Sequence, residues 1–467
     1  MTRFKRSAAI ALTAAIGAGL LAGCGSSSDT ASTSGTTASG SGAASTTAAA
    51  STSGSSSSSS GDTSMIFAWW GNQTRNERTT NAITKYEEEN PGVSIEGQFS
   101  EWNDYWQKLA TNSAGNALPD IIQMDYQYLN QYMNTGLLYD LSEFVDDGTI
   151  DTTNWNQNMI NAGTMDGKLV AVCAGINAPA LVYDKAITDQ AGVTIKDNMT
   201  NDEFIEVSKT IYEKTGYKTN IQYGTAQEIF SYWCRSDGKI LFNTGKVDAT
   251  ADELTKYFKI YEDGESEGWM VAPTVFAEIT IGSVEQDPLV YGDTPENQSW
   301  CTFCWSNQYV AMLNASKDTQ DLQMTTWPSP DPQKSDFLKP SQFFSVSADA
   351  KDPKAAAAFI NWLTNSEDAN DILLGERGIP MNSEIADKVS EQLTEDDQKT
   401  YTFVNEVVAK NCSDINPPYP DGYTEAGKIL NTILEAVCYG QETAEQAGQD
   451  LVDQATAVLA AKASSNS

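Results

Sequence analysis

The segment from Asp166 to Asp184, DGKLVAVCAGINAPALVYD, constrains the fold more than any other part of the chain. It contains two apolar runs typical of β-strands, Leu169–Ala174 and Ala178–Tyr183. A glycine, an asparagine and a proline join the runs, and they interrupt strand pairing without supplying a hairpin turn. We interpret the segment as a strand that leaves one sheet and enters another. A single interrupted core strand is the alternative.

A crossing of this kind, about 110 residues into the globular part, predicts two α/β lobes with a cleft between them. Clefts between lobes are common ligand sites, and hinged closure of two lobes around a ligand is a known mechanism. Chain length agrees with this prediction. The stretch after residue 64 of this 467-residue chain is too long for one ordinary hydrophobic core.

Alternation of strands and helices after residue 64 predicts a parallel sheet in the first lobe. The predicted elements are a strand at Met65–Trp70, a helix at about 74–89, a strand at Val93–Phe99, a helix at about 104–113 and a strand at Asp120–Met124. Ligands of open α/β sheets lie beyond the carboxyl ends of the strands. This rule selects Trp70 and Asn72 after the first strand and Asp125 after the third.

Composition excludes several classes of function. The chain has no histidine, so a Ser-His-Asp triad, a Cys-His pair and a histidine-based metal site are all excluded. The net charge of −34 opposes binding to nucleic acid and to anionic lipid surfaces. Hydrolysis by a pair of carboxylates stays open, because 63 acidic residues provide many possible pairs. We expect neither a metal nor a cofactor.

Cysteine gives little guidance. Six cysteines follow Cys24, an even number that permits disulfides without requiring them. Cys301 and Cys304 have the spacing of a redox motif, but aromatic residues flank them and no thioredoxin-like context surrounds them. We therefore do not expect a redox role.

The N-terminal region has the features of an exported, anchored protein. Residues 1–23 combine basic residues with a short apolar run, which is typical of a signal peptide. Leu21–Cys24 resembles a bacterial lipobox, in which Cys24 becomes lipidated. Several acyl chains on one residue anchor a protein far better than one chain. Residues 24–64 consist of this cysteine and a stretch rich in Ser, Thr, Gly and Ala, which predicts a flexible tether.

Over about residues 65–460 the chain resembles the family 1 extracellular solute-binding proteins, the sugar-capturing components of ABC importers. The resemblance depends on the order and spacing of several segments: Asp166–Asp184, Gly136–Leu141, Trp305–Gln308, Lys339–Ser345 and Gly375–Asn382. It implies two Rossmann-like lobes of the class II periplasmic-binding-protein type. The N-terminal lobe would comprise 65–175 plus 342–378, and the C-terminal lobe 176–341 plus 379–467.

Carried over position by position, the resemblance also implies a set of sugar contacts. The polar contacts would be Asn72, Asp125 and Asn177, and Asn177 is neutral where several family members have an acidic residue. The aromatic contacts would be Trp70, Phe230, Trp233, Phe303, Trp305 and Tyr423. We assign the other aromatic candidates to the core: Trp69, Trp102, Trp106, Trp155, Trp269 and Trp362.

The sequence therefore predicts a monomeric, lipid-anchored binding protein that is not an enzyme. It would capture a sugar or oligosaccharide and present it to the permease subunits of an ABC importer. Two alternatives stay open. The first is a secreted glycosidase with a carboxylate pair, and the second is a polymer-binding surface module that does not take part in transport.

Overall fold

The computed structural model describes residues 63–71, 73–221, 226–281 and 283–465. The predicted signal peptide, Cys24, nearly all of the tether and Asn72 lie outside the described residues.

The strands of the described residues are short after the first two. They are β1 (Thr63–Trp70), β2 (Val93–Ser100), β3 (Ile121–Met124), β4 (Thr164–Met165), β5 (Lys168–Leu169), β6 (Val172–Cys173), β7 (Ile176–Asn177), β8 (Pro179–Asp184), β9 (Phe242–Asn243), β10 (Lys246–Val247), β11 (Cys301–Trp305), β12 (Leu322–Thr325), β13 (Lys339–Pro340) and β14 (Phe343–Val346).

Helices occupy most of the remaining described chain. They are α1 (Gln73–Glu89), α2 (Trp102–Ala114), α3 (Tyr126–Asn134), α4 (Ser142–Asp146), α5 (Gln157–Ala162), α6 (Lys185–Ala191), α7 (Asn201–Thr215), α8 (Ala226–Arg235), α9 (Ala251–Glu267), α10 (Pro273–Phe276), α11 (Pro288–Tyr291), α12 (Tyr309–Ala315), α13 (Pro332–Ser335), α14 (Pro353–Asn365), α15 (Glu367–Leu373), α16 (Ser383–Ser390), α17 (Glu395–Thr402), α18 (Tyr423–Cys438) and α19 (Ala444–Ser465). None of these helices is long and apolar enough to span a bilayer.

The larger sheet has the strand order β2-β1-β3-β14-β6. β1 pairs in parallel with β2 and β3, as the alternation of strands and helices predicts. β14 returns from later in the chain to this sheet, as the predicted return crossover implies, and its antiparallel pairing with β3 and β6 was not predicted. Strand β3 is buried along its whole length. Asp125 directly follows its carboxyl end and therefore lies at the edge of this sheet.

The segment Asp166–Asp184 does leave one sheet and enter another, as predicted. Its strand β6 belongs to the five-stranded sheet, and β8 is the central strand of a three-stranded antiparallel sheet, β11-β8-β12. Between them β7 pairs with β13, so that Asn177 lies opposite Lys339. Gly175 is required at this crossing, because a Cβ there would lie 2.3 Å from the carbonyl oxygen of Arg377. The chain thus passes twice, side by side, between the two sheets.

Two clusters of buried apolar side chains stabilise these elements. The first core surrounds the five-stranded sheet and extends onto the three-stranded sheet through Ala180 and Val182 of β8. Within it the ring of Phe67 packs against Phe344 and Phe359 at centroid distances of 5.7 and 5.9 Å. The second core is formed largely by helices and includes Phe230 and Trp233 of α8.

Local sequence signals fix the helix ends around the second core. Thr200 and Glu203 form a reciprocal capping box at the start of α7, and Thr250 and Glu253 form another at the start of α9. Such boxes satisfy two backbone N–H groups that a helix start otherwise leaves unpaired. α7 then ends at Gly216, whose φ of 82° suits glycine.

Candidate functional site: a cavity between the two cores

A cavity of about 520 Å³ lies between side chains of the first core and side chains of the second. Trp102, Asp125 and Tyr126 line it on the side of the five-stranded sheet, and Glu228 and Tyr423 line it on the other. Its volume is within the range of about 300–1,000 Å³ that is usual for small-molecule sites. We call this space the inner cavity.

Two carboxylates and one ammonium group define the charge of the inner cavity. Asp125 caps α3 and accepts a hydrogen bond of 2.9 Å from the backbone N–H of Gln127. Burial raises the pKa of Asp125, and the nearby Lys339 and the Gln127 N–H oppose that rise. Burial also raises the pKa of Glu228, while Lys339 and two tyrosine hydroxyls oppose the rise. A buried carboxylate is favourable only when hydrogen-bond donors surround it, so both groups suit a ligand rich in hydroxyls.

A pair of stacked tyrosines holds Glu228. The rings of Tyr419 and Tyr423 lie 3.8 Å apart with an interplanar angle of 9°. Their hydroxyl groups donate to the two oxygens of Glu228, Tyr419 at 3.4 Å and Tyr423 at 3.3 Å. These long bonds leave both carboxylate oxygens with further capacity to accept hydrogen bonds.

Trp305 provides an aromatic surface in the cavity wall. It is the last residue of β11, and its ring packs against Trp327 at 5.4 Å. The ammonium group of Lys339 lies 5.0 Å from the centre of the Trp305 ring, within the range of cation–π attraction. An aromatic face beside polar groups matches a sugar, which presents C–H groups on one face of its ring and hydroxyls at its edge.

Arg235 holds in place a loop that forms part of the cavity wall. Its guanidinium donates to Asn416 Oδ1 and the Asp414 carbonyl, each at 2.7 Å, and to Ser413 Oγ at 2.6 Å. From the other side, the hydroxyl of Tyr126 donates to the Asn416 carbonyl at 2.6 Å. This loop is therefore bonded to helices from both cores.

The structure brings only some of the predicted site residues together. Asp125, Trp305 and Tyr423 all line the inner cavity. Trp70 lies one layer behind it and packs against Trp102 at a ring distance of 4.9 Å. Asn177 is buried in the crossing and does not line the cavity. Asn72 lies outside the described residues.

The remaining predicted aromatics belong to the second core. Phe230, Trp233 and Phe303 are buried and do not line the cavity. The indole N–H of Trp233 donates to the Pro328 carbonyl at 2.9 Å, which satisfies its one polar group inside the protein. Trp102, assigned to the core from sequence, instead lines the cavity.

Sequence reasoning missed Glu228, Arg235, Lys339 and Tyr419. A usable signal existed for the first two. Glu228 and Arg235 are seven residues apart on α8, so at about 100° per residue they project within about 20° of each other. Trp233 projects about 140° from Glu228, on the face that packs into the core.

The described residues include no cluster of side chains arranged to hold a metal ion. The six cysteines after Cys24 have free thiols. Burial raises the pKa of both Cys301 and Cys304, so neither has the exposed, low-pKa thiolate of a redox motif.

A buried aspartate behind the cavity wall predicts a pH effect on stability. Asp336 accepts a hydrogen bond of 3.1 Å from Tyr232. Burial and the nearby Asp197 raise the pKa of Asp336, whereas this bond and the nearby Arg235 lower it. Burial raises its pKa from 3.8 to about 7. Between these values the folded protein holds a proton that the unfolded chain has released, so this group lowers stability as pH rises.

We expect Asp336→Asn to remove that dependence. Relative to the wild type, the variant should gain free energy of unfolding by up to about 1.4 kcal/mol per pH unit between about pH 4 and 7. Urea unfolding of both proteins at several pH values measures the difference. A difference that is constant over this window would show that Asp336 does not retain its proton.

Comparisons with known proteins agree with this architecture. A family model described as bacterial extracellular solute-binding protein matches residues 81–400, more than half of the chain. A solved structure of an extracellular solute-binding protein family 1 member from Alicyclobacillus acidocaldarius has a TM-score of 0.72 and 27% sequence identity. The match covers 86% of this chain and 100% of that one.

Two further proteins have names that specify a sugar. The diacetylchitobiose binding protein DasA of Streptomyces coelicolor is 32% identical over 123 residues, 26% of this chain and 28% of DasA. The chain thus aligns with less than a third of the length of this curated relative. A periplasmic oligogalacturonide binding protein from Yersinia enterocolitica has a TM-score of 0.71 and covers 86% of this chain and 100% of its own, but at 20% identity it supports the fold alone.

The family match, the confirmed crossing between sheets and the shared two-sheet fold lead to one conclusion: this chain belongs to the bacterial extracellular solute-binding proteins.

Proposed function

We propose that this protein captures an oligosaccharide in the inner cavity, outside the cell, and delivers it to the permease subunits of an ABC importer. The observation that carries the proposal is the composition of the cavity wall. Trp305 offers a ring face, Asp125 and Glu228 offer acceptors from opposite sides, and Lys339 offers donors between them. The name of the partly matching relative DasA specifies a disaccharide, which supports the same class of ligand.

Two lobes, divided at the boundaries that the sequence predicts (175/176, 341/342 and 378/379), would move relative to each other. The neighbouring strands β7 and β13 would serve as the hinge, because they are the paired segments through which the chain passes between the sheets. A ligand that contacts both sides of the cavity prefers the closed form, and only such differential contact shifts the equilibrium between open and closed states. Delivery to an importer would use this difference in shape.

Calorimetric titration against mono- and oligosaccharides tests the proposal. We expect one sugar bound per protein and no cleavage of that sugar. At a ligand concentration of 100 times Kd, the bound sugar should add about 2.7 kcal/mol to stability. Absence of binding to every member of a broad neutral and acidic panel would contradict the proposed function.

Glycosidase activity is a second candidate function, because Asp125 and Glu228 lie in one cavity and burial raises the pKa of each. Paired carboxylates of unequal protonation are the usual catalytic groups of glycosidases. Chromatography of the sugar after long incubation separates the two functions. Recovery of intact ligand supports a binding protein, whereas hydrolysis products that disappear in Glu228→Gln would identify an enzyme.

We further propose that Cys24 anchors the protein to the cell membrane by its lipid. Replacing Cys24 by alanine should release the protein into the medium or stall its processing, because the thiol that receives the lipid is lost. Membrane fractionation followed by immunodetection measures the outcome, with a serine-to-alanine change within residues 25–64 as the control. Unchanged membrane retention of the alanine variant would contradict anchoring through this residue.

A further inference from the structure

A second space adjoins the inner cavity. It has a volume of about 790 Å³ and is lined by α3 on one side and by the start of α18 on the other. Five residues line both spaces: Gln127, Tyr419, Pro420, Tyr423 and Thr424. We call the second space the outer groove, and these shared residues form the partition between it and the inner cavity.

The α3 side of the outer groove is a row of amides. Gln127, Gln131 and Asn134 all line it, with Thr135 just beyond the helix. Their spacing of four and then three residues places the three amides on one face of the helix. Each amide can both donate and accept hydrogen bonds, which is the capacity needed to bind successive hydroxyl groups without selecting a charge. Gln131 and Asn134 are exposed and accessible to a ligand.

The opposite side of the groove is polar as well. Glu425 lies there in an ion pair of 2.8 Å with Lys462, and Asp421 is close by in the chain. Because this side carries paired charges and the α3 side carries amides, the groove suits an uncharged, hydroxyl-rich chain better than an apolar peptide or a lipid tail.

The partition itself contains a polar connection that a sugar can replace. The side-chain amide of Gln127 donates to Thr424 Oγ1 at 2.9 Å, in an exposed position between the two spaces. A sugar hydroxyl can accept from Gln127 and donate to Thr424, so the hydrogen bonds lost on separating this pair are regained with the ligand. The stacked side chains of Tyr419 and Tyr423 line the same passage.

We propose that the outer groove is a second binding region for the same ligand. One end of a linear oligosaccharide occupies the inner cavity, and the following sugar units pass between Gln127 and Thr424 and lie along the amides of α3. This inference rests on the proposed function and deepens it, because it assigns a preference for longer, uncharged oligosaccharides to named residues outside the inner cavity.

The test compares ligands of increasing length on the wild type and on the double variant Gln131→Ala/Asn134→Ala. Alanine favours helix more than glutamine or asparagine, so the substitutions should not weaken α3. The control is Gln107→Ala on α2, an exposed glutamine that lines neither space. The probes are malto-, cello- and N-acetylchito-oligosaccharides of two to six units, with Kd measured by calorimetric titration of the full chain.

We expect the wild type to bind the longer members of one series more tightly than the disaccharide. The double variant should bind the disaccharide within about twofold of the wild type but should lose about 5- to 100-fold in affinity for the longest member, since two neutral hydrogen bonds are removed. The control should bind all lengths like the wild type.

The outcomes separate the two proposals. If these neutral series fail to bind while an acidic sugar of the broad panel binds, the inference of an uncharged ligand chain is overturned; if no member of the broad panel binds, the proposed function fails. If the disaccharide binds but length brings no gain in affinity, or if the double variant keeps the whole gain, the proposed function stands and the outer groove is not a binding region. An equal loss for short and long ligands also overturns the inference, because it indicates a general disturbance of α3.

Discussion

Replacing Glu228 by glutamine is expected to weaken oligosaccharide binding by roughly 10- to 150-fold. The carboxylate accepts hydrogen bonds in the wall of the inner cavity, and a bond to a charged group contributes about 1.5–3 kcal/mol. Glutamine keeps the size of the side chain and one of the two oxygens that accept from Tyr419 and Tyr423, and its NH₂ group can donate to the other hydroxyl. Asp125→Asn should cause a comparable loss, since asparagine also caps a helix and so preserves α3.

The same two variants should keep or gain stability, which distinguishes binding residues from structural ones. Burial raises the pKa of both carboxyl groups, so at neutral pH their ionisation is unfavourable to the folded state, and a neutral side chain removes that cost. Urea unfolding and calorimetric titration together measure the two effects. Glu435→Gln, an exposed site on α18, is the control. Binding within about twofold of the wild type in both variants would remove these carboxylates from the site.

The second large effect separates two tryptophans that look alike in the sequence. Trp233 is 1% exposed in the second core, so Trp233→Ala should lower the free energy of unfolding by about 3–5 kcal/mol. Trp305 lies in the cavity wall, so Trp305→Ala should weaken sugar binding by roughly 10- to 150-fold through lost apolar contact, with a smaller loss of stability.

Urea unfolding and titration of both variants check this contrast. If Trp233→Ala does not fold, Trp233→Phe retains most of the ring volume and should be destabilised but bind normally. Loss of binding in a stable Trp233→Phe protein, together with normal binding by Trp305→Ala, would reverse the two assignments and contradict the placement of the site.

The crossing between sheets could be predicted because its signals are local. The residues that join the two apolar runs neither continue a strand nor form a hairpin, so the second run is expected to enter a different sheet. Strands β6, β7 and β8 follow this path. The position of Asp125 could also be predicted from the sequence, since it directly follows a buried strand whose carboxyl end lies at the edge of a parallel sheet.

The second side of the cavity was harder to predict, for two physical reasons. On α8 the aromatic residues Phe230 and Trp233 were predicted to contact the ligand, but they pack into the core. The opposite face of the helix presents Glu228 and Arg235 to the cavity. Aromatic character alone does not distinguish a ligand contact from core packing; the period of the helix does.

Lys339 and Tyr419 reach the cavity only through tertiary structure. Lys339 lies there because β13 pairs with β7, and Tyr419 because Arg235 and Tyr126 bind the loop that precedes it. Neither contact has a local pattern in the sequence, since the bonded residues are separated by more than 150 positions in the chain.

A crystal structure of the protein with its tightest-binding oligosaccharide would show whether the inner cavity is the sugar site. We expect one sugar ring against the face of Trp305, with hydroxyl groups within hydrogen-bond distance of Asp125 and Glu228. A sugar bound elsewhere on the protein while the inner cavity holds only water would contradict it.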